Sequence, residues 1–226
     1  MKTISLSNRL SAAAGLIREK ARVADVGCDH GKLSAFLLLS GKETPFVYAT
    51  DIRPLPLQKA ETLLNSIGMS DRCRCVLTDG LDGLSGEDID DVVIAGLGAD
   101  VISSIIKRAD WLYDSSKRLI LVPSSKKERL RVFLSKEGFD TLSENAVFEH
   151  GHYYSVMLVV FSGNRRSISL KEKWLGSIDC NDSAGAGYKD LVISRMKRII
   201  ESVPDPENVN RIEAEAFLEE IDDLSE

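Results

Sequence analysis

Two side chains that can bind cations or move protons, Asp29 and His30, stand inside a glycine-containing turn near the start of the chain. The stretch reads RVADVGCDHGKLSAFLL from Arg22, so a β-branched run ends in an acid and an apolar, helix-like segment follows the glycines. A turn that holds the pyrophosphate of a dinucleotide has the pattern G-x-G-x-x-G and offers bare backbone. Two of those glycines are present here, Gly27 and Gly31. The turn therefore predicts a ligand that needs a tight backbone together with a carboxylate.

Further acids and glycines follow the next predicted strands at the points where those strands end. Asp51 closes the run VYATDI, about 20 residues beyond the first turn, which is where Rossmann-type folds place a ribose-binding acid. The third run ends in LTDGL with Asp79 and Gly80, and the fourth ends in IAGLGAD with Gly96 and Gly98. Because the carboxyl ends of parallel strands meet at one edge of a sheet, we expect these residues to form one site.

The elements that would position this site alternate between strand and helix signals. The strand-like runs are RVADVG, FVYATDI, RCVLTDG, DVVIAGLG and RLILVPS, with helix-like segments between most of them. Continuous Val, Ile and Ala runs are typical of parallel strands that are covered on both faces. Two more runs, TLSENAVFEH and HYYSVMLVVFSG, follow one another directly. The pattern predicts an α/β fold with a doubly wound, seven-stranded, mostly parallel sheet and an antiparallel edge.

The C-terminal part of the chain has a different pattern. The segment SGNRRS is typical of a domain boundary, which divides the chain into 1–163 and 164–226. Beyond it, two amphipathic helices joined by PDP predict a helical hairpin packed on itself or on the main domain, and we expect CNDSAGAG to be a flexible loop. The residues expected on the apolar faces are Tyr188, Val192, Met196, Ile199 and Val203, then Val209, Ile212, Ala216, Ile221 and Leu224.

The composition is that of an ordinary globular protein, with 226 residues of which 43% are hydrophobic and 28% are charged. No apolar run approaches the ~20 residues that span a bilayer, and the N-terminus lacks the apolar core of a secretion signal. We therefore expect a cytoplasmic protein with no membrane partner.

The cysteines form no CxxC pair, which predicts neither a metal site nor a disulfide framework. We expect Cys73 and Cys75 on opposite faces of a strand. The sequence leaves the oligomeric state open.

The net charge of −6 speaks mildly against a nucleic-acid partner, because phosphate binding relies on positive charge. Net charge does not exclude a local patch, however. The runs SSKKERLR and RCR are basic, although each one taken singly is typical of a solvated surface.

The turn resembles the D/E-x-G-x-G-x-G turn of class I S-adenosylmethionine-dependent methyltransferases, whose ligand carries an ammonium group and a sulfonium instead of a phosphate. More specifically, the chain resembles the bacterial tRNA (adenine-22-N1)-methyltransferase family. The segments that carry the resemblance are LSNRL, VADVGCDHGKL, TDGL, IAGLG, RLIL-P and the E-x-x-x-Y run from Glu149 to Tyr153. The similarity extends from about Leu6 to Gly163 and continues in a helical C-terminal appendage. The resemblance implies a Rossmann-like methyltransferase fold, S-adenosyl-L-methionine as cofactor, S-adenosylhomocysteine as product and tRNA as partner. The modified atom would be N1 of an adenine in the D-arm region.

The resemblance also implies which residues bind the cofactor. Asp25 and Gly27 would shape the cofactor turn, and Asp51 would hold both ribose hydroxyls. This chain departs from the family at two places. The family usually reads A-G-M-G-G, and here Leu97 replaces the Met and Ala99 replaces the last Gly. The family tends to have Q-P-N, and here Val122 and Ser124 flank the proline. The expected cofactor-binding residues are Asp25, Gly27, Cys28, Asp29, Asp51, Ile52, Asp79, Gly80, Gly96 and Gly98.

Two residues of the turn are candidates for catalysis. Asp29 would contact the methionine ammonium or face the acceptor base, and a helix N-cap is the structural alternative. His30 would orient the adenine or accept its N6 proton, and a histidine packed at the helix start is the alternative.

Four residues are candidates for contact with the acceptor. Arg9 would reach the cofactor mouth or tRNA, or else form a solvent-exposed salt bridge. Pro123 and Ser124 would lie beside the base, although Ser124 and its neighbour Ser125 also suit a cap for the next helix. Tyr153 would stack on nucleic acid or pack in the core.

Other functions remain open from the sequence. The same fold would also serve a methyltransferase acting on another RNA site or on a small molecule, or a non-catalytic cofactor- or RNA-binding module. An NAD-dependent reductase is disfavoured by the glycine pattern.

Overall fold

A single seven-stranded sheet forms the centre of the computed structural model, which describes residues 4–223. The strand order is β3-β2-β1-β4-β5-β7-β6; the first five strands are parallel, and β7 lies antiparallel between β5 and β6. The strands are β1 (Val23–Val26), β2 (Val47–Asp51), β3 (Cys73–Leu77), β4 (Asp91–Ala95), β5 (Arg118–Val122), β6 (Phe139–Glu149) and β7 (His152–Phe161). The predicted sheet and its antiparallel edge are confirmed.

Helices cover both faces of this sheet. The helices are α1 (Asn8–Leu16), α2 (Lys32–Leu39), α3 (Pro54–Ser66), α4 (Ala99–Arg108), α5 (Lys127–Glu137), α6 (Leu170–Trp174), α7 (Ser183–Ser202) and α8 (Val209–Asp223). Residues of α1, α2 and α3 share one buried apolar cluster with β1 and β2, and residues of α4 and α5 share another with β4 and β5. All four residues of β1 are buried, as expected of a strand covered on both faces. The strand order reverses between β1 and β4, where doubly wound folds bind ligands.

Helices α6, α7 and α8 pack on one another and against the antiparallel edge of the sheet. Their apolar cluster includes Tyr188, Val192 and Met196 of α7, and Tyr153 of β7 packs against it. Asp182 caps α7, so the part of CNDSAGAG from Ser183 onward is helix, and the expectation of a loop was wrong there. The division into domains 1–163 and 164–226 stays a prediction.

The predicted apolar stripe of α8 was wrong at its start. Val209 and Ile212 are 76% and 50% exposed, whereas Ala214 and Phe217 are fully buried, and the correctly predicted Ile221 is 6% exposed. Leu224 lies outside the described residues.

A buried ion pair joins this helical part to the sheet. Arg131 of α5 and Glu144 of β6 are 2.6 Å apart, and their side chains are 5% and 1% exposed. Arg131 also donates to the carbonyl of Trp174 (3.0 Å) and to the Tyr188 hydroxyl (3.1 Å). Charges this deeply buried are tolerated only when they are paired and hydrogen-bonded. The network therefore fixes how the C-terminal helices lie on the sheet.

The expectation that Cys73 and Cys75 lie on opposite faces of their strand was wrong. Residues two positions apart share a face of a strand. Both thiols pack on the α3 side of β3, beside Leu64, and they belong to one apolar cluster with Cys28.

Candidate active site

The turn after β1 has a backbone that strongly restricts which residues can occupy it. Gly27, Asp29 and Gly31 all have positive φ, at 70°, 51° and 68°. A Cβ on Gly31 would lie 2.7 Å from the Cβ of Ala60 in α3, so the close approach of α2 and α3 requires glycine. Gly31, not Asp29, is the N-cap residue of α2, so the helix-cap alternative for Asp29 was wrong. The Asp29 carboxylate is 59% exposed and lies 3.5 Å from the Arg53 guanidinium.

Asp25, the one acid of β1, is buried directly beneath this turn. It is 4% exposed, and it accepts a hydrogen bond from the Ser34 hydroxyl at 2.7 Å. Burial raises the pKa of Asp25 to about 6, since the charged form loses solvation and the hydrogen bonds from the Ser34 side chain and backbone replace only part of it. A cationic group bound nearby would restore that stabilisation. Asp25 therefore presents a buried carboxyl group to the cavity beside the turn.

Asp51 ends the neighbouring strand and holds the turn in place. Its carboxylate accepts from the backbone N–H of Asp29 (3.2 Å), the backbone N–H of Arg53 (2.9 Å) and Arg53 Nε (3.2 Å). Burial opposes the charge, but the hydrogen bonds and the Arg53 guanidinium outweigh it and hold the pKa of Asp51 below its usual value. Asp51 is thus an ionised acceptor. The Arg53 side chain that covers it is 62% exposed and free to yield to ligand hydroxyls.

The turn after β3 is hydrogen-bonded to the end of β2, since the backbone N–H of Thr78 donates to the Asp51 carbonyl at 3.1 Å. Asp79 pairs with Arg108 of α4 (3.1 Å), and the carbonyl of Gly80 accepts from the Thr50 hydroxyl (2.8 Å). These contacts stabilise the turn.

The turn after β4 lies over the first turn. The side chain of Leu97 would be 3.6 Å from a Cβ on Gly27, and Gly96, with φ of 82°, lines the same cavity. Leu97 therefore supplies an apolar cover over the first turn.

The turns after β4 and β5 are hydrogen-bonded to each other. Gly96 N–H donates to the Val122 carbonyl (2.9 Å), and Ser124 N–H donates to the Leu97 carbonyl (2.9 Å). Val122 and Ala99 are buried, whereas Ser124 is exposed. Of these departures from the family pattern, Ser124 is the one that presents a changed side chain at the surface.

The helix-cap alternative for Ser124 and Ser125 was wrong. Lys126 is the N-cap residue of α5, with a φ of 54° and no side-chain cap. Pro123 is buried beneath the turn, so its ring is covered from solvent.

His30 stands at the rim of the site beside two charges. Its Nδ1 lies 2.7 Å from the Asp29 carboxylate, without the alignment of a hydrogen bond, and its Nε2 lies 3.3 Å from Lys59 Nζ. The imidazole is 44% exposed although its Nδ1 is buried, and its catalytic role stays a prediction.

Arg9 reaches the site from α1 and is held by the antiparallel edge. Its guanidinium pairs with Glu149 at 2.9 Å and lies 4.7 Å from the ring centroid of Tyr154. Glu149 is 5% exposed, so this is a half-buried pair, not the solvent-exposed one considered from the sequence. Tyr153 lies apart from this group, with its ring 4.8 Å from that of Phe148. For Tyr153, the structure favours the packing alternative.

A cavity of about 520 Å³ opens at this edge of the sheet, a size suited to a nucleoside-sized ligand. Among the described residues, no group of three His, Cys, Asp or Glu side chains is arranged to hold a metal ion. Asp51 lies behind the residues that line the cavity. Arg53 is part of the lining, and the sequence analysis did not predict it. Its position two residues after a strand-end acid is the sequence feature that could have identified it. Exposed Ile52 lies outside the lining, as do Asp79, Gly80, Gly98, Pro123, Ser124 and Tyr153. The predicted residues that line it are Arg9, Asp25, Gly27, Cys28, Asp29, His30 and Gly96.

No helix within residues 4–223 is both long and apolar enough to cross a membrane.

The fold and this site define a Rossmann-like methyltransferase, and comparison with known proteins agrees. A family profile described as "Methyltransferase domain" matches residues 6–157. The curated tRNA (adenine(22)-N(1))-methyltransferase of Bacillus subtilis is 30% identical over 165 residues, which is 73% of this chain and 68% of that protein. The chain therefore belongs to the tRNA (adenine(22)-N(1))-methyltransferase family.

Solved structures show the same fold over nearly the whole chain. A Streptococcus agalactiae protein of the NADB-Rossmann superfamily has a TM-score of 0.85 at 24% identity and covers 98% of both chains. The structure of M. capricolum TrmK in complex with S-adenosylhomocysteine has a TM-score of 0.81 at 25% identity, covering 96% of this chain and 98% of that one. The C-terminal helices are thus part of the shared architecture.

Proposed function

We propose that this chain transfers a methyl group from S-adenosylmethionine to N1 of an adenine in tRNA, at position 22 in the D-arm region, and releases S-adenosylhomocysteine. The observation that carries the proposal is the pair of acids at adjacent strand ends, Asp25 and Asp51, joined through the turn that contains Asp29. The sequence similarity to the B. subtilis enzyme supports the choice of tRNA.

The residues around the cavity fit this cofactor. Ionised Asp25 attracts the ammonium end, and the exposed Asp29 carboxylate lies on the same turn. The positive φ of Gly27 and Gly96 lets the backbone approach the ligand closely. Asp51 accepts from the ribose hydroxyls when Arg53 yields part of its contact. When bound, S-adenosylmethionine supplies an electrophilic methyl group on a sulfonium.

Transfer to N1 of adenine requires alignment more than a strong base, because N1 of the neutral base already has a lone pair. The product carries positive charge, which the Asp29 carboxylate at the rim would stabilise. His30, between Asp29 and Lys59, is placed to orient the base. N1 lies on the Watson–Crick edge, so the adenine must be unpaired or flipped before it reacts.

Arg9 and Ser124 are the proposed contacts to the substrate. Arg9 lines the cavity, and its pairing with Glu149 fixes the direction of its guanidinium. Ser124 is exposed on the turn that is bonded to Leu97. We also propose a cytoplasmic location, which the four free cysteines support, because thiols stay reduced there.

The test is methyl transfer from labelled S-adenosylmethionine to an unmodified tRNA transcript with adenine at position 22, followed by mapping of the methylated nucleotide. We expect one N1-methyladenine at that position. A transcript with guanine at position 22 is the matched control and should accept no label. Label at another nucleotide would contradict the site, and tight cofactor binding without any label in tRNA would contradict the substrate class.

A further inference from the structure

A second cavity, of about 380 Å³, lies between the first turn of α5 and one face of α7. We call it the basic groove and define it by four cationic residues of its lining, Lys126, Lys127, Arg195 and Arg198. Glu128 is the one acid in the lining, so the lining carries more positive than negative charge. The chain as a whole has a net charge of −6. The groove therefore concentrates positive charge on an acidic protein.

Most of this charge lacks an acidic partner. Within residues 4–223, Lys126 is the one of the four whose side chain pairs with a carboxylate. Lys127 Nζ donates to the Tyr153 carbonyl (2.9 Å), Arg195 lies 4.9 Å over the ring of Trp174, and Arg198 bonds to a carbonyl of its own helix. Burial and the nearby charge of Arg131 lower the pKa of Lys127. An anion bound in the groove would relieve this unbalanced charge.

Three acids of the neighbouring helix α8 are engaged outside the groove: Glu213 and Glu220 by α6, and Glu215 by Arg211 of α8 itself. Glu213 pairs with Lys173 at 2.6 Å and accepts from the Trp174 indole at 2.7 Å. Glu220 accepts from the backbone N–H of Leu170 at 3.1 Å. Within residues 4–223, Arg195 and Arg198 of α7 form no ion pair and contact the Trp174 ring and the Ser194 carbonyl.

One end of the groove adjoins the turn after β5, where Lys126 follows Ser125. Lys126 Nζ lies 2.6 Å from the carboxylate of Asp100 in the first turn of α4. Ala99 N–H donates to the Ser125 carbonyl at 3.3 Å, one residue before Lys126. These contacts join the Lys126 end of the groove to the start of α4, directly after the turn that follows β4.

We propose that the basic groove binds the phosphodiester backbone of the RNA substrate while the target base enters the active-site cavity. The inference rests on the proposed function and locates part of its RNA-binding surface. Arginine matches phosphate oxygens with a planar pair of donors, and backbone contacts fix the register of a nucleic acid without reading its sequence. Leu191, 45% exposed at the groove, offers an apolar surface to the sugars.

The test removes two charges from the groove with Arg195→Ala/Arg198→Ala and compares this variant with Lys189→Ala/Lys197→Ala. The control removes two charges from the same helix outside the groove lining. Binding of the unmodified tRNA transcript is measured at several salt concentrations, and S-adenosylhomocysteine binding is measured in parallel. Each phosphate contact contributes about 0.7 to 0.9 to the slope of log K against log salt. We expect the groove variant to lose about 1.4 to 1.8 of this slope and the control to keep it.

Arg195 stacks on Trp174, so a melting curve checks that the double variant is folded. Arg198→Ala alone provides a second measurement, and we expect it to lose about 0.7 to 0.9 of the slope of log K against log salt. Equal losses in the groove and control variants, or no loss in either, would overturn the groove as an RNA site. Failure of the proposed function is a separate result: the wild-type chain would then not methylate the transcript at all.

Discussion

Cofactor binding should depend on pH through Asp25. With a pKa of about 6, the carboxyl is about nine-tenths ionised at pH 7 and about one-tenth ionised at pH 5. Only the ionised form attracts the ammonium end of the ligand, so binding is weakened as the pH falls. We expect the Kd for S-adenosylhomocysteine to rise about 10-fold from pH 7 to pH 5, or about 1.4 kcal/mol. Asp25→Asn should bind more weakly at pH 7 and lose this dependence.

The assay is calorimetric titration of wild type and Asp25→Asn with S-adenosylhomocysteine between pH 5 and pH 7.5. Asp51 has a pKa below its usual value, so it stays ionised throughout this range. His30 also lines the cavity, so His30→Ala is the control and should keep the pH dependence. If Asp25→Asn kept the wild-type profile while His30→Ala lost it, the reasoning about Asp25 would be refuted.

Three further substitutions test other parts of the structure. Asp51→Ala should weaken S-adenosylhomocysteine binding by about 10- to 100-fold, as expected for lost hydrogen bonds to a charged group, and an unchanged Kd in calorimetry would contradict its role. Glu144→Ala leaves buried Arg131 unpaired and should cost about 3 to 5 kcal/mol of unfolding free energy in urea, whereas a loss below 1 kcal/mol would argue against the buried network. Gly31→Ala combines a positive φ with a Cβ 2.7 Å from that of Ala60, so it should lower the melting temperature; an unchanged Tm would contradict this packing.

The sheet could be predicted from the sequence because its strands carry a strong signal. Runs such as VADV and DVVIA are apolar on both faces, and such strands form parallel sheets covered by helices. Parallel strands bring their carboxyl ends to one edge, so the proximity of Asp25, Asp51 and Gly96 followed from the order of the runs.

The side-chain partners could not be predicted, because they depend on contacts between distant parts of the chain. Nothing near Glu149 in the sequence indicates that Arg9 pairs with it, and the cap of α5 is set by the backbone at Lys126, not by a serine hydroxyl. The buried face of α8 depends on how the helix packs against α6 and α7, so the pattern that included Val209 was misleading.

A crystal structure of the chain with S-adenosylhomocysteine tests the central claim most directly. We predict that the amino-acid end of the ligand lies beside the Asp25–Asp29 turn and that the ribose hydroxyls contact Asp51 at the carboxyl ends of β1 and β2. A ligand bound elsewhere, or bound in this cavity with its ribose away from Asp51, would contradict the account.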